Sequence, residues 1–148
     1  MSLDVCLKDA SKSSPERWTI FIREDGRKKE ITLEEWNQRN PGIQPTLCHV
    51  GGDCIVYSAN ITHNLNTMAE AAGIYKPLWR PEEIGIEKAH QLIEPLTNGL
   101  SELKADPDKY KIHNPENGWG NYDLLVRFAT EYLTACKQNP DTDVSVWR

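Results

Sequence analysis

The stretch IEKAHQLIEPLTNGLSELKA, residues 86–105, indicates the fold class more clearly than any other part of the chain. Its apolar residues recur at helical spacing and form one stripe, which is typical of a helix packed against a core. The stripe consists of Ile86, Ala89, Leu92, Ile93, Leu96, Leu100 and Leu103. We therefore predict a helix over residues 86–104, bent at Pro95 because proline removes a backbone hydrogen bond.

A second amphipathic pattern, YDLLVRFATEYLTACKQ, predicts another helix over residues 122–138. Residues that alternate between apolar and polar predict strands instead. These strands cover residues 2–8, 17–25 and 143–147, and residues 46–50 and 54–59 form a candidate hairpin. The first strand is a plausible partner for the last.

Turn-forming and polar residues separate these elements. The SKSSPE segment (residues 11–16) and the basic GRKKE segment (residues 26–30) are predicted to be loops. Gly51-Gly52-Asp53 is predicted to be the turn of the hairpin. A capping box formed by Thr32 and Glu35 begins a short helix between the strands.

The resulting order, β-β-α-β-β-α-α-α-β, predicts a single α+β domain over residues 1–148. We expect an antiparallel or mixed sheet of about four to five strands packed with two to three main helices. Exposed strand edges would also permit a homodimer.

Composition narrows the classes of function. The chain has 148 residues and a formal net charge of −5, which argues against non-specific nucleic-acid binding. No apolar run approaches the roughly 20 residues that span a bilayer, and the N-terminus lacks the features of a signal peptide. We therefore expect a cytoplasmic protein without a membrane association and with reduced cysteines, of which Cys6 and Cys136 are predicted to be buried.

Polar side chains crowd a predicted strand-to-helix junction in YSANITHNLNTMAEAAGIYKPLWR, residues 57–80. Thr62 is a predicted N-cap for a helix over residues 63–72, which Gly73 ends in a left-handed conformation. The segment after this helix is predicted to be irregular because of Pro77 and Pro81. Asn60 and Asn64 either bind a ligand or only brace the junction.

His63, at the start of that helix, is the candidate catalytic residue. The positive end of a helix dipole disfavours the protonated imidazole, so a neutral ring could act as a base, as a hydrogen-bond acceptor or as a metal ligand. A residue that only braces the helix start is the alternative. The sequence contains no G-x-S-x-G, P-loop or dinucleotide fingerprint, and we expect neither a cofactor nor a metal. Cys48, His49 and Cys54 do not have the spacing of a standard zinc knuckle.

Two aromatic segments are candidates for the rest of a binding site. Trp79 and Arg80 combine an indole with a guanidinium, a pair suited to planar anionic ligands such as nucleotides. Asn117 and Trp119 lie in HNPENGWGNYD, residues 113–123, where glycines flank the indole. Trp119 is either a plug that packs the loop down or a platform on which a ligand stacks.

The segments SANITHNL, AGIY, LWRPEE and NPENGWG resemble those of a family of small uncharacterised proteins from bacteria and their phages. The similarity covers essentially the whole chain, with a larger residue than expected at Trp147. The resemblance implies an intracellular accessory role in the contest between phage and host, and it transfers no catalytic residues.

The sequence thus favours a non-catalytic protein that binds a small anionic or nucleotide-like ligand or a protein partner. The predicted ligand-binding residues are Asn60, His63, Asn64, Trp79, Arg80, Asn117 and Trp119. A small hydrolase or transferase with His63 as general base is the first alternative. An interaction protein without a ligand pocket is the second.

Overall fold

Four strands form one antiparallel sheet in the computed structural model, which describes residues 2–148. They are β1 (Ser2–Glu24), β2 (Arg27–Ile31), β3 (Cys48–Thr62) and β4 (Asp143–Trp147). The strand order is β2-β1-β3, and β4 also pairs with β1. With the helices that accompany this sheet, the predicted α+β class is confirmed.

Six α-helices lie between the strands along the described part of the chain. They are α1 (Leu33–Arg39), α2 (Asn66–Ala71), α3 (Tyr75–Trp79), α4 (Ala89–Ala105), α5 (Pro107–Lys111) and α6 (Tyr122–Gln138). Two 3₁₀ helices, His63–Leu65 and Pro81–Ile84, precede α2 and follow α3. The bounds of α6 and β4 match the prediction.

The long helix α4 begins at Ala89, three residues later than predicted. The side-chain oxygen of Gln91 accepts hydrogen bonds from the backbone N–H groups of Glu87 and Lys88, both at 2.8 Å. This capping closes the first turn after Lys88, although Ile86 ahead of it is still buried.

Two compact units can be distinguished along the chain, one formed by residues 2–10 with Ile55–Arg148 and the other by Ser11–Cys54. The first unit contains a continuous apolar core. Leu3, Val5 and Leu7 of β1 are fully buried in it, as their alternation predicts. The apolar face of α6 is buried as well, and so are Cys6 and Cys136, as predicted; the buried residues of this face include Tyr122, Leu125, Phe128, Ala129, Tyr132 and Leu133.

The last strand closes this unit by pairing antiparallel with the first. Val5 lies opposite Val146 and Leu7 opposite Val144, so the expected pairing of the two terminal strands is confirmed. The backbone N–H of Val144 also donates to Glu87 O at 2.8 Å. The C-terminal strand is therefore held both by β1 and by the segment that precedes α4.

Two predicted loops and one predicted turn in the second unit are wrong, because all of these residues except Gly26 belong to strands. Residues 11–16 belong to β1, and Gly51-Gly52-Asp53 lies inside β3 rather than between two strands. Gly51 and Gly52 have φ values of 92° and 91°, which only glycine adopts without strain. A Cβ on Gly51 would lie 2.2 Å from the carbonyl oxygen of Pro15. The glycine pair therefore permits a close approach of the β1 backbone at a point where β3 continues.

The basic segment 26–30 was also predicted wrongly as a loop. Asp25 and Gly26, with φ values of 52° and 75°, make a two-residue hairpin turn after which β2 pairs with the end of β1. Arg27, Lys28 and Lys29 are exposed on this edge strand, where charge protects an edge from further pairing.

Proline does not prevent a helix in the segment after Gly73. The Schellman ending is confirmed, because Gly73 N–H donates to Glu70 O at 3.0 Å and Ile74 N–H to Ala69 O at 2.9 Å. The segment then forms α3 rather than an irregular stretch. Pro77 occupies the first turn of α3, where its missing N–H costs no intrahelical bond.

We predict that Gly99→Ala destabilises the protein by about 1–3 kcal/mol, the usual cost of overpacking a core. Alanine ordinarily favours a helix over glycine, but a Cβ on Gly99 of α4 would lie 1.9 Å from Cγ2 of the buried Ile74. Urea unfolding measures the effect, with the exposed neighbour substitution Asn98→Ala as control. A Gly99→Ala protein at least as stable as the parent would contradict this packing.

We also predict that Glu30→Gln lowers stability at neutral pH and that the difference disappears toward pH 2. Hydrogen bonds from Arg17 and Thr19, the latter at 2.7 Å, lower the pKa of Glu30 from 4.5 to about 2. A lowered folded-state pKa stabilises the fold above pH 4.5, and this contribution is lost as the pH falls through 2. Unfolding midpoints measured across this range test it, with exposed Glu116→Gln as control; a difference between parent and Glu30→Gln that stays constant with pH would disprove it.

Candidate functional site

Two of the polar side chains at the end of β3, those of Asn60 and Thr62, make hydrogen bonds within the protein. Thr62 is the N-cap of the 3₁₀ helix His63–Leu65, as predicted for the start of this helical segment, and its Oγ1 accepts a hydrogen bond from Asn64 N–H at 3.3 Å. Asn60 Nδ2 donates to Asp4 Oδ1 on β1 at 2.7 Å. The predicted single helix over residues 63–72 is instead this 3₁₀ turn followed by α2, so Asn64 lies in the turn.

His63 and Trp79 come together, as the predicted site requires. Their ring centroids are 6.2 Å apart and the rings meet edge to face at 66°. Tyr75 stacks on the other side of the indole, with centroids 5.5 Å apart. His63 Nε2 and Trp79 Nε1 are both buried without a hydrogen-bond partner among the described residues. Trp79 is only 1% exposed, so it forms an inner wall and offers no open face for stacking.

Arg80 ends α3 and points toward acidic neighbours. Its Nε lies 3.9 Å from Glu83 Oε1, and Lys76 Nζ lies 3.7 Å from the other oxygen of the same carboxylate. These side chains are substantially exposed, and ion pairs of this kind contribute little to stability. Arg80 therefore remains accessible at the surface while the neighbouring Trp79 is buried.

The loop that carries Trp119 is braced by asparagine side chains. Asn117 Oδ1 accepts a hydrogen bond from Trp119 N–H at 2.9 Å, and Asn114 Oδ1 accepts one from Tyr122 N–H at 2.7 Å. Asn121 Oδ1 caps α6 by accepting from Leu124 N–H at 2.9 Å. Trp119 itself is 70% exposed. The loop thus holds its backbone in place and presents the indole to solvent.

This loop packs directly on the junction. A Cβ on Gly120 would lie 2.8 Å from Thr62 Cγ2 and 3.0 Å from Leu65 Cγ. Thr62 precedes the 3₁₀ helix that contains His63, and Leu65 is its last residue. The positive φ of 99° at Gly120 is a second reason for glycine at this position. The Trp119 loop therefore contacts the junction, which in turn contacts α3 through His63 and Trp79.

Leu124 and Arg127 belong to the same region, and the sequence reasoning missed both. With Gly120, Asn121 and Asp123 they line a depression of about 390 Å³, whose lining begins at Gly120, the residue that follows Trp119 in the chain. Arg127 follows Asp123 by one helical turn, so both lie on one face of α6. In the sequence, the signal for Arg127 is its i, i+4 spacing from Asp123, just after the capping Asn121.

A second polar cluster, also missed, is enclosed by α6 and β3. The rings of Tyr57 and Tyr132 stack with centroids 5.6 Å apart, and both hydroxyl groups are buried without a hydrogen-bond partner among the described residues. Burial, followed by the charges of Glu131 and Cys136, raises the pKa of Tyr57 to about 12. Burial also raises the pKa of the Cys136 thiol to about 12, which keeps this thiol protonated and unreactive.

Residues 2–148 contain no group of three His, Cys, Asp or Glu side chains arranged to hold a metal ion. Among the described residues, none of the helices has the length and apolarity required to cross a bilayer.

Comparisons of the chain with family models, with curated proteins and with solved structures found no match. The function is therefore inferred from the geometry of the chain itself.

We predict that Tyr132→Phe leaves stability unchanged or raises it by up to about 1 kcal/mol, because the lost hydroxyl is desolvated without a partner. Tyr122→Phe is the matched control. Its Oη donates to Leu103 O at 2.8 Å, so its removal should cost about 1 kcal/mol. Urea unfolding of both variants compares the two cases. A loss in Tyr132→Phe as large as in Tyr122→Phe would mean that its hydroxyl has a bonding partner.

Proposed function

We propose that this chain is a non-catalytic binding protein whose ligand is small, anionic and nucleotide-like. The observation that carries the proposal is Trp119, an indole 70% exposed on a loop whose backbone is held by asparagine side chains. Stacking of one base on an aromatic side chain contributes about 1–3 kcal/mol. A braced loop loses little conformational freedom on binding, so most of that energy is retained.

The depression beside Trp119 supports an anionic group on the ligand. Arg127 lines it and supplies a guanidinium, which suits phosphate oxygens. Asp123 lines the same depression and would repel a phosphate at the first turn of α6. The anionic group is therefore placed toward Arg127, with the planar part of the ligand against Trp119.

The surroundings of His63 support binding rather than catalysis. A general base must come within hydrogen-bond reach of the proton that it removes. His63 Nε2 is buried beside Trp79, so a ligand on the exposed face of Trp119 does not reach this nitrogen directly. A hydrolase or transferase with His63 as its base would require this region to open.

A protein partner is a second candidate, and one specific observation favours it. In the unit formed by residues 11–54, Leu33, Ile43 and Leu47 are more than half exposed and line one groove of about 520 Å³. Exposed aliphatic residues that share a groove are typical of interaction surfaces. A homodimer through a sheet edge belongs to the same class of function.

The resemblance to bacterial and phage proteins supports a cytoplasmic accessory role, in which the chain sequesters its ligand. Sequestration requires only tight binding and leaves the ligand chemically intact.

Titration with AMP tests the proposal, with adenosine and inorganic phosphate as partial ligands. We expect Trp119→Ala to weaken AMP binding by about tenfold or more, the equivalent of one stacked base. Arg127→Gln should weaken the binding of AMP but not of adenosine. Calorimetry measures these affinities, and Trp147→Ala, which removes a half-exposed indole on β4, is the control.

Two outcomes would contradict the proposal. If AMP, adenosine and phosphate all fail to bind the parent protein, the nucleotide-like ligand is excluded and the protein partner becomes the leading function. If AMP is converted to product and His63→Gln stops the conversion while AMP still binds, the protein is an enzyme.

A further inference from the structure

Helices α4 and α6 carry the same surface pattern. Residues 97–104 read TNGLSELK and residues 130–137 read TEYLTACK. Both match the pattern T-x-x-L-[ST]-x-x-K, in which x is any residue. The two helices run antiparallel. The end of α4 lies near the start of α6, where Tyr122 Oη donates to Leu103 O, and the start of α4 lies near the end of α6, where His90 N–H donates to Pro140 O.

Antiparallel helices with one repeated pattern are related by a local twofold axis. Because the helices run antiparallel, Lys104 and Lys137 lie toward opposite ends of the paired segment. Each lysine follows the first threonine of its pattern by seven residues, a rise of about 10 Å. Both patterns line one shared groove of about 280 Å³ between the helices.

The middle of this groove offers no hydrogen-bond donor from the hydroxyl groups. Thr97 Oγ1 donates to Ile93 O at 2.6 Å and Ser101 Oγ to Thr97 O at 3.0 Å. Thr130 and Thr134 donate in the same way to carbonyls of their own helix, at 2.7 and 2.9 Å. With these protons engaged, the lining between the two lysines offers no free hydroxyl proton, and it includes Leu100 and Leu133 beside the four hydroxyl residues.

The two lysines supply the only cationic donors among the groove-lining residues. Within residues 2–148 neither ammonium group has a carboxylate at ion-pair distance. The residues three and four positions before Lys104 and Lys137 are leucines and hydroxyl residues, so neither lysine has an acidic neighbour preceding it on its helix. The groove therefore has one cation without an ion-pair partner toward each of its ends.

We propose that this groove binds a linear dianion with an apolar middle, of the α,ω-dicarboxylate class. Each carboxylate pairs with one lysine, and the methylene chain lies over Leu100 and Leu133. The local twofold symmetry of the groove matches the symmetry of such a ligand. This site is separate from the depression beside Trp119, and its binding does not depend on the proposed nucleotide-like ligand.

Suberate is the probe, compared with octanoate, which has one carboxylate, and succinate, which has two but is too short to span the groove. NMR titration of the full chain measures the affinities. We expect suberate to bind at least about tenfold more tightly than either, since each charge-assisted hydrogen bond contributes about this factor. Lys104→Gln and Lys137→Gln should each weaken suberate binding by about tenfold.

Lys111→Gln is the control, because Lys111 pairs with Asp108 at 3.8 Å outside the groove. It should leave suberate binding unchanged. Equal affinities for suberate and octanoate would overturn the two-ended site. Equal affinities for suberate and succinate would show non-specific attraction between charges and would overturn the proposal as well. Unchanged suberate binding in both groove-lysine variants would place the ligand elsewhere and overturn the proposal.

Discussion

The antiparallel packing of α4 on α6 is the contact on which the first unit depends. It places the apolar stripe of one helix against that of the other, within a core that also contains the fully buried Leu3, Val5 and Leu7. Both ends of the pair are fastened by hydrogen bonds, from Tyr122 to Leu103 and from His90 to Pro140. Because α6 leads directly into β4, the same packing brings the last strand to the edge of β1.

That packing also fixes the candidate site. The loop of residues 112–121 connects α5 to α6. The side-chain oxygens of three of its asparagines accept hydrogen bonds from backbone N–H groups and are therefore engaged within the protein. Gly120 then lies against Thr62 and Leu65, which ties the loop to the end of β3. The polar residues around His63 therefore explain how the region is held rigid, while the exposed Trp119 and Arg127 remain to make contacts.

The unit formed by residues 11–54 is organised differently. Only Thr19, Ile20 and Ile31 are buried in this described segment, which also contains exposed ion pairs and two glycines with positive φ. Such a small core provides little hydrophobic stabilisation. The unit instead presents aliphatic and charged side chains to solvent, which is a composition suited to contact with other molecules.

Local patterns determined much of the fold from the sequence alone. The stripe of α6, the alternation of β4, the capping box at Thr32 and the glycine ending at Gly73 each depend on neighbours within a few residues, and all four were found. Tertiary structure decided the rest, because the deciding partner is distant in the chain. The backbone of Pro15 lies against Gly51, and the ring of Tyr132 stacks on that of Tyr57. Trp79 and Trp119 both have glycine or proline nearby, yet packing buries the first and exposes the second.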